Sequence, residues 1–206
     1  MQMLKLKSKY DQRHSLQETH RNDSHRYKNE IINNEGMSNN AKLILSILSL
    51  KFNDNDLHQN LYIKIVYKNE FKKTASLSNR KNIIWNESFE FRVESQKDKV
   101  ILEVCQLVSN KEIVTGTINI PIDRAENQDE YECEIEIPEV KNGKPTGNMS
   151  EIKLKMQFIK SFYTFYVDSA LKIELEKNEI MSNIITIQKT FEQLNGTIIL
   201  HSFSSI

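Results

Sequence analysis

The sequence predicts an all-β protein. It would be an antiparallel β-sandwich of about eight strands, with a disordered N-terminal arm before it and a C-terminal amphipathic helix after it. Three observations carry that reading. Apolar and polar residues alternate at period two in a succession of short runs between residues 41 and 160. Turn-forming residues separate the runs, most plainly in KNGKPTGN at 141–148. Beyond residue 163 the apolar spacing lengthens to three and four, the repeat of a helix. The expected boundaries are 1–40 for a polar extended arm, 41–162 for the sandwich, and 163–206 for the helix and a short tail.

Taken in order, residues 1–40 centre on QRHSLQETHRNDSHRYKNE and show no apolar period, so they are expected to form no fold of their own. Leu43, Leu45 and Ile47 alternate with Ile44, Ser46 and Leu48, a first strand apolar on both faces. Tyr62 to Tyr67 reads as a second strand. Phe89, Phe91 and Val93 alternate with Glu90 and Arg92, and Val100, Leu102 and Val104 with Ile101 and Glu103. Ile118, Ile120 and Ile122 form a further set. Tyr131, Cys133, Ile135 and Ile137 alternate with Glu132, Glu134 and Glu136, the cleanest alternation in the chain. Ile152, Leu154, Met156 and Phe158 alternate with Lys153, Lys155 and Gln157. One dry and one wet face per strand fits antiparallel sheets. In the last segment Asp168 or Ser169 is expected to cap the helix and Asn195-Gly196 to end it. TIILHSF at 197–203 would then add a short strand.

Composition narrows the function classes. Lys+Arg and Asp+Glu number 28 each, so no overall field draws the chain to nucleic acid or to an anionic membrane. No apolar run reaches the length of a membrane span, and MQMLKLKSKYDQRH has no apolar core of a signal peptide. Cys105 and Cys133 are the only cysteines, which points to free thiols in a reducing, intracellular and cytoplasmic setting. No G-x-S-x-G, H-E-x-x-H or phosphate-loop motif is present, so a non-catalytic protein without cofactor is expected. His14, His20 and His25 lack the cysteines or paired carboxylates of a metal shell and are read as solvated.

Three stretches resemble the C2 domain, the sandwich of protein kinase C and synaptotagmin. They are NLYIKIVY at 60–67, Thr74 with NIIWNESFEF at 82–91, and VILEVCQLVSNKEIVTGTINIPI at 100–122. Trp85, Phe89 and Phe91 are read as core, with Asn86 and Glu87 fixing a turn. The resemblance implies a rim of two loops where calcium-binding members hold the ion with several aspartates. By that alignment Asp54 matches a first-loop aspartate, Asn60 stands where the next belongs, and Gln106, Val108 and Ile113 fall near the three of the second loop. Calcium needs roughly six to eight oxygens, several of them charged. Asp56, Asn110 and Glu112 add stray oxygens only, so a divergent, calcium-independent member with no metal site is expected. Leu61 and Ile83 replace prolines usual in the family.

Two surfaces are candidates for binding. Lys64, Lys68, Lys72, Lys73, Arg80 and Lys81 lie on the second to fourth strands, where a basic face in family members meets phospholipid or acidic protein. Glu70, Ser76 and Ser78 interrupt it, and roughly 1 kcal/mol per basic residue makes any membrane attachment weak. The second is the helix seam of Ile173, Ile180, Ile184, Ile187, Phe191 and Leu194, broken by Lys177. Left in water it would promote aggregation, so other protein subunits are the expected partners, through residues 1–40 and 166–194. The expected function is a C2 adaptor or scaffold subunit of a larger intracellular assembly, of cytoskeletal or ciliary kind. The alternative is a calcium-independent peripheral membrane protein using the basic strand face.

Overall fold

The computed structural model describes residues 2–52, 58–79, 82–124, 128–141 and 143–203. The strands are β1 (Lys42–Phe52), β2 (His58–Tyr67), β3 (Glu70–Lys73), β4 (Leu77–Asn79), β5 (Asn82–Arg92), β6 (Lys99–Val108), β7 (Lys111–Pro121), β8 (Tyr131–Lys141) and β9 (Lys144–Ile159). Two helices precede and follow them along the chain, α1 (Gln2–Tyr27) and α2 (Phe162–Phe203). The chain divides into two compact units, residues 31–161 and residues 1–30 with 162–206.

The first unit is the antiparallel sandwich. Strand order is β3-β2-β6-β7-β8-β9-β1-β5, with β4 extending the β3 edge of β2. The strands number nine rather than about eight because residues 74–76 split that edge in two. Two four-stranded layers, β3-β2-β6-β7 and β8-β9-β1-β5, meet through one pair, Gly116 opposite Glu139. Alternation does what the sequence implies. Leu43, Leu45, Ile47, Ile63, Ile65, Val100, Leu102, Val104, Ile152, Leu154 and Phe158 are buried in one core. The outer faces carry the charged partners of each alternation, as on β8, where Glu132, Glu134 and Glu136 are exposed.

Three sequence expectations do not hold in this unit. Residues 31–40 belong to the sandwich: Met37 is buried in the core, and the Ser38 N–H donates to the Lys160 carbonyl at 2.7 Å. Leu48 leaves the alternation at a bulge, where the pairing of β1 shifts between Ile47 and Ser49. Asn86, expected in a turn, takes the left-handed conformation (φ 54°) inside β5 at the same irregularity, a geometry asparagine tolerates better than most residues.

The second unit is a hairpin of α1 and α2. The disordered arm is therefore a helix across residues 2–27. No proline or glycine interrupts that stretch, and Lys, Gln, Leu, Met, Arg and Glu are good helix formers. Its less exposed residues are Met3, Leu6, Tyr10, Arg13, Gln17, His20, Asp23, Ser24 and Tyr27. Apart from Asp23 they recur at spacings of three and four, so the helix has a seam in which polar side chains alternate with apolar and aromatic ones. The opposing seam of α2 includes Tyr166, Ala170, Ile173, Lys177, Ile180, Ile184 and Ile187. Tyr27 stacks on Phe162 and Tyr166, with ring centroids 5.0 and 5.8 Å apart. Lys177 donates to Gln17 at 2.9 Å, and Arg21 and Arg13 pair with Glu174 and Glu176 at 3.1 and 2.9 Å. Tyr27 against Phe162 and Tyr10 against Lys177 make the hairpin antiparallel.

α2 begins at Phe162, earlier than the expected cap at Asp168 or Ser169. Ser161 stands at the cap position, and the Glu30 carboxylate accepts the first-turn N–H of Tyr163 at 3.3 Å. The helix continues through Asn195-Gly196 to Phe203, so TIILHSF is helical and adds no strand. A single glycine inside a helix costs only about 1 kcal/mol relative to alanine, too little to stop it. No helix among the described residues is long and apolar enough to cross a membrane.

Candidate functional site

The C2 resemblance makes the loops at one rim the candidate cation site. β6 and β7 are joined there by two residues, Ser109 and Asn110, both left-handed (φ 51° and 63°). That is the primed turn that matches strand twist in a tight hairpin. Ladder pairing runs to the tip, with Gln106 opposite Ile113, Leu107 opposite Glu112 and Val108 opposite Lys111. The positions aligned with second-loop aspartates are thus laddered strand residues. Asp54 and Asp56 lie outside the described residues. Asn60 is left-handed (φ 51°) in β2, and its N–H donates to Ser78 Oγ at 2.9 Å.

The outer face of β2, β6 and β7 holds a cluster of Tyr62, Lys64, Glu103, Cys105 and Glu112, which no motif announced. Glu103, Cys105 and Glu112 place one ligand-type atom each within 4.8 Å of the others. Lys64 Nζ lies 3.2 Å from Glu103 and 3.0 Å from Glu112, and the Tyr62 hydroxyl also donates to Glu112. The Tyr62 bond, then the Lys64 ammonium, hold the Glu112 carboxyl below its ordinary value. Burial, with the two carboxylates, pushes the Cys105 thiol up to about 12. The cluster carries its own cation in Lys64, so a metal ion would have to displace an ammonium already bonded to both carboxylates. The signal that would have found it is Tyr62 and Lys64 beside Cys105 and Glu103 on paired strands, which needs the register, not the sequence.

The basic face is largely neutralised from within. Besides Lys64, Lys68 pairs with Glu94 at 2.6 Å and Asp98 at 3.1 Å, and these bonds raise its pKa. Lys72 pairs with Glu70 at 3.2 Å, donates to the Glu90 carbonyl and lies 4.9 Å over the Phe91 ring. Lys73 lies 5.5 Å over the Tyr62 ring. Arg80 and Lys81 lie outside the described residues.

The helix seam is divided. Ile173 and Ile184 are buried, Ile180 and Ile187 are half-buried, and Phe191 and Leu194 are exposed.

The signature WNESFEF has a local purpose the sequence did not specify. Trp85 Nε1 donates to the Ala75 carbonyl at 2.8 Å, and the Glu87 carboxylate accepts the Ala75 N–H at 3.0 Å. Thr74 Oγ1 accepts the Ile63 N–H at 3.0 Å. Together they tie residues 74–76, where the edge strand breaks, to β5 and β2.

The C2 domain family profile matches residues 42–137. Residues 42–137 form a C2 domain. The fold continues past the matched span, since β9 closes the core beside β1. Among solved structures, a C2 domain of plant Extended Synaptotagmin 1 is similar at 15% identity and TM-score 0.50, over 59% of this chain and 95% of that one. A C2 domain-containing protein from a putative elicitor-responsive gene is similar at 19% identity and TM-score 0.48, over 58% and 89%. A calcium-bound pair of C2 domains from Extended-Synaptotagmin 2 is similar at 14% and 0.49, over 60% and 47%. The plant synaptotagmin structure supports the C2 fold and carries nothing further. No curated protein sequence matches the chain.

Proposed function

We propose that this chain is a non-catalytic, calcium-independent C2 adaptor or scaffold subunit of a larger intracellular assembly, of cytoskeletal or ciliary kind. The carrying observation is the β6–β7 hairpin. Its strands pair up to a two-residue turn, and Gln106, Val108 and Ile113 supply at most one side-chain oxygen among them. A divalent ion at that end would keep most of its hydration shell rather than exchange it for protein oxygens. What remains for function is surface. The helical hairpin offers exposed apolar residues, and the C2 domain offers sheet faces rich in internally paired charge. In this reading protein subunits bind α2 and the sandwich surface.

Titration calorimetry of the full chain at millimolar calcium tests the reading, and no heat of binding is expected. Heat that disappears on substituting Asp54 would overturn calcium independence.

A second reading, peripheral attachment to membranes, draws on a different observation. Leu107, Val108, Ile113 and Val114 are exposed together at the tip of the β6–β7 hairpin, beside Lys111. The paired lysines argue against attachment through the basic face itself. Sedimentation with vesicles with and without inositol phospholipids separates the two readings, because the adaptor reading predicts no pelleting.

A further inference from the structure

The outer face of α2 has a symmetry of its own. Four large apolar side chains stand on it: Leu171, Leu175, Met181 and Ile185, exposed 55%, 70%, 44% and 42%. With about 100° per residue, positions 171, 175, 178, 182 and 185 fall within roughly 80° of one another, with 181 at the flank. That stripe points roughly 130° away from the seam that α1 covers. The apolar positions read the same in both directions about Asn178: 171 and 185 are equidistant from it, and so are 175 and 181.

A two-fold interface must be self-complementary, because residue i meets j and j meets i. Crossing two α2 helices antiparallel about Asn178 sets Leu171 against Ile185 of the second copy and Leu175 against its Met181. The register sets no like charges opposite each other: Glu174 stands across from Ser182, while Lys177 and Ile184 are turned toward α1 and take no part. On the axis Asn178 meets itself, and an amide both donates and accepts, so the pair closes reciprocally. One central asparagine among apolar contacts is also a known way to hold helix register. A partner of different sequence would require no such palindrome.

We propose that α2 pairs with α2 of a second copy of this chain, antiparallel, on a two-fold axis through Asn178. This deepens the reading of α2 as a protein-binding element and rests on it.

Sedimentation equilibrium of the full chain is expected to show a concentration-dependent monomer–dimer equilibrium. Leu175→Glu, present twice per dimer, should weaken it by about 100-fold or more, and Leu171→Glu likewise. Both positions are exposed, and circular dichroism should report unchanged helix content. Mild oxidation of Asn178→Cys should give a disulfide-linked dimer. Ser182→Cys should not, because its own copies would lie about 12 Å apart along the axis, beyond disulfide reach. A monomer at every concentration, a dimer indifferent to both glutamates, or cross-linking at 182 instead of 178 would each overturn the proposal. A monomer that still captured other proteins would sink the dimer and spare the adaptor reading. A dimer that bound calcium would do the reverse.

Discussion

Gly116 is where the two layers of the sandwich touch, and no larger residue fits. A Cβ built there would lie 2.8 Å from Ile137 Cγ2 and 3.2 Å from the Pro138 carbonyl. Gly116→Ala is therefore expected to destabilise the C2 domain by about 1–3 kcal/mol, read from the midpoint of urea unfolding. Glu112 makes a different kind of test. Its carboxyl is held below the ordinary 4.5 by the Tyr62 hydroxyl and then by Lys64. A group depressed in the folded state contributes stability above its unfolded value and loses it as pH falls through the folded one. The melting-temperature gap between wild type and Glu112→Gln should therefore narrow as pH drops below 4.5. A gap that stayed constant down to pH 2 would mean that the Tyr62–Lys64–Glu112 contacts add nothing.

At the scale of elements, α1 shows how a helix hides from composition. Its seam contains Arg13, Gln17, His20 and Ser24, so an apolar period never appears, yet burial follows a heptad. The match to α2 is imperfect: Gln17 Nε2 and His20 Nδ1 are buried without a hydrogen-bond partner. His20 meets Tyr166 edge-on at 5.6 Å, so its ring packs while its nitrogen is stranded. His20→Phe keeps the ring and removes the orphaned atom. It is expected to raise the stability of the hairpin by about 1 kcal/mol, measured by thermal melting of helix ellipticity. A loss of stability there would show that the nitrogen is satisfied after all. β5 makes the complementary point: WNESFEF was readable as core, but its bonds to Ala75 depend on where the edge strand breaks.

For the whole molecule, the two units are built to different standards. β1 lies between β9 and β5 with Leu43, Leu45 and Ile47 fully buried, whereas the α1 seam includes the polar side chains of Arg13, Gln17, His20 and Ser24. Amide hydrogen exchange should be slowest in β1 and β9 and markedly faster in α1. Equal protection in both would mean that the hairpin is stabilised by contacts beyond its own seam.

The sandwich was legible because period-two alternation records which side chains lose water, and that pressure acts on every strand alike. Leu43 to Ile47 and Ile152 to Phe158 needed no neighbours to be placed. The α2 helix was legible from its own period, but of its expected seam only Ile173 and Ile184 are buried, and Phe191 and Leu194 are exposed. What required three dimensions was everything set by pairing across distant segments: the helix in residues 2–27, the bulge at Leu48, and the ammonium of Lys64 between Glu103 and Glu112. A buried polar seam leaves no hydrophobic trace along the chain. An ion pair between strands depends on register, which single-chain patterns do not encode.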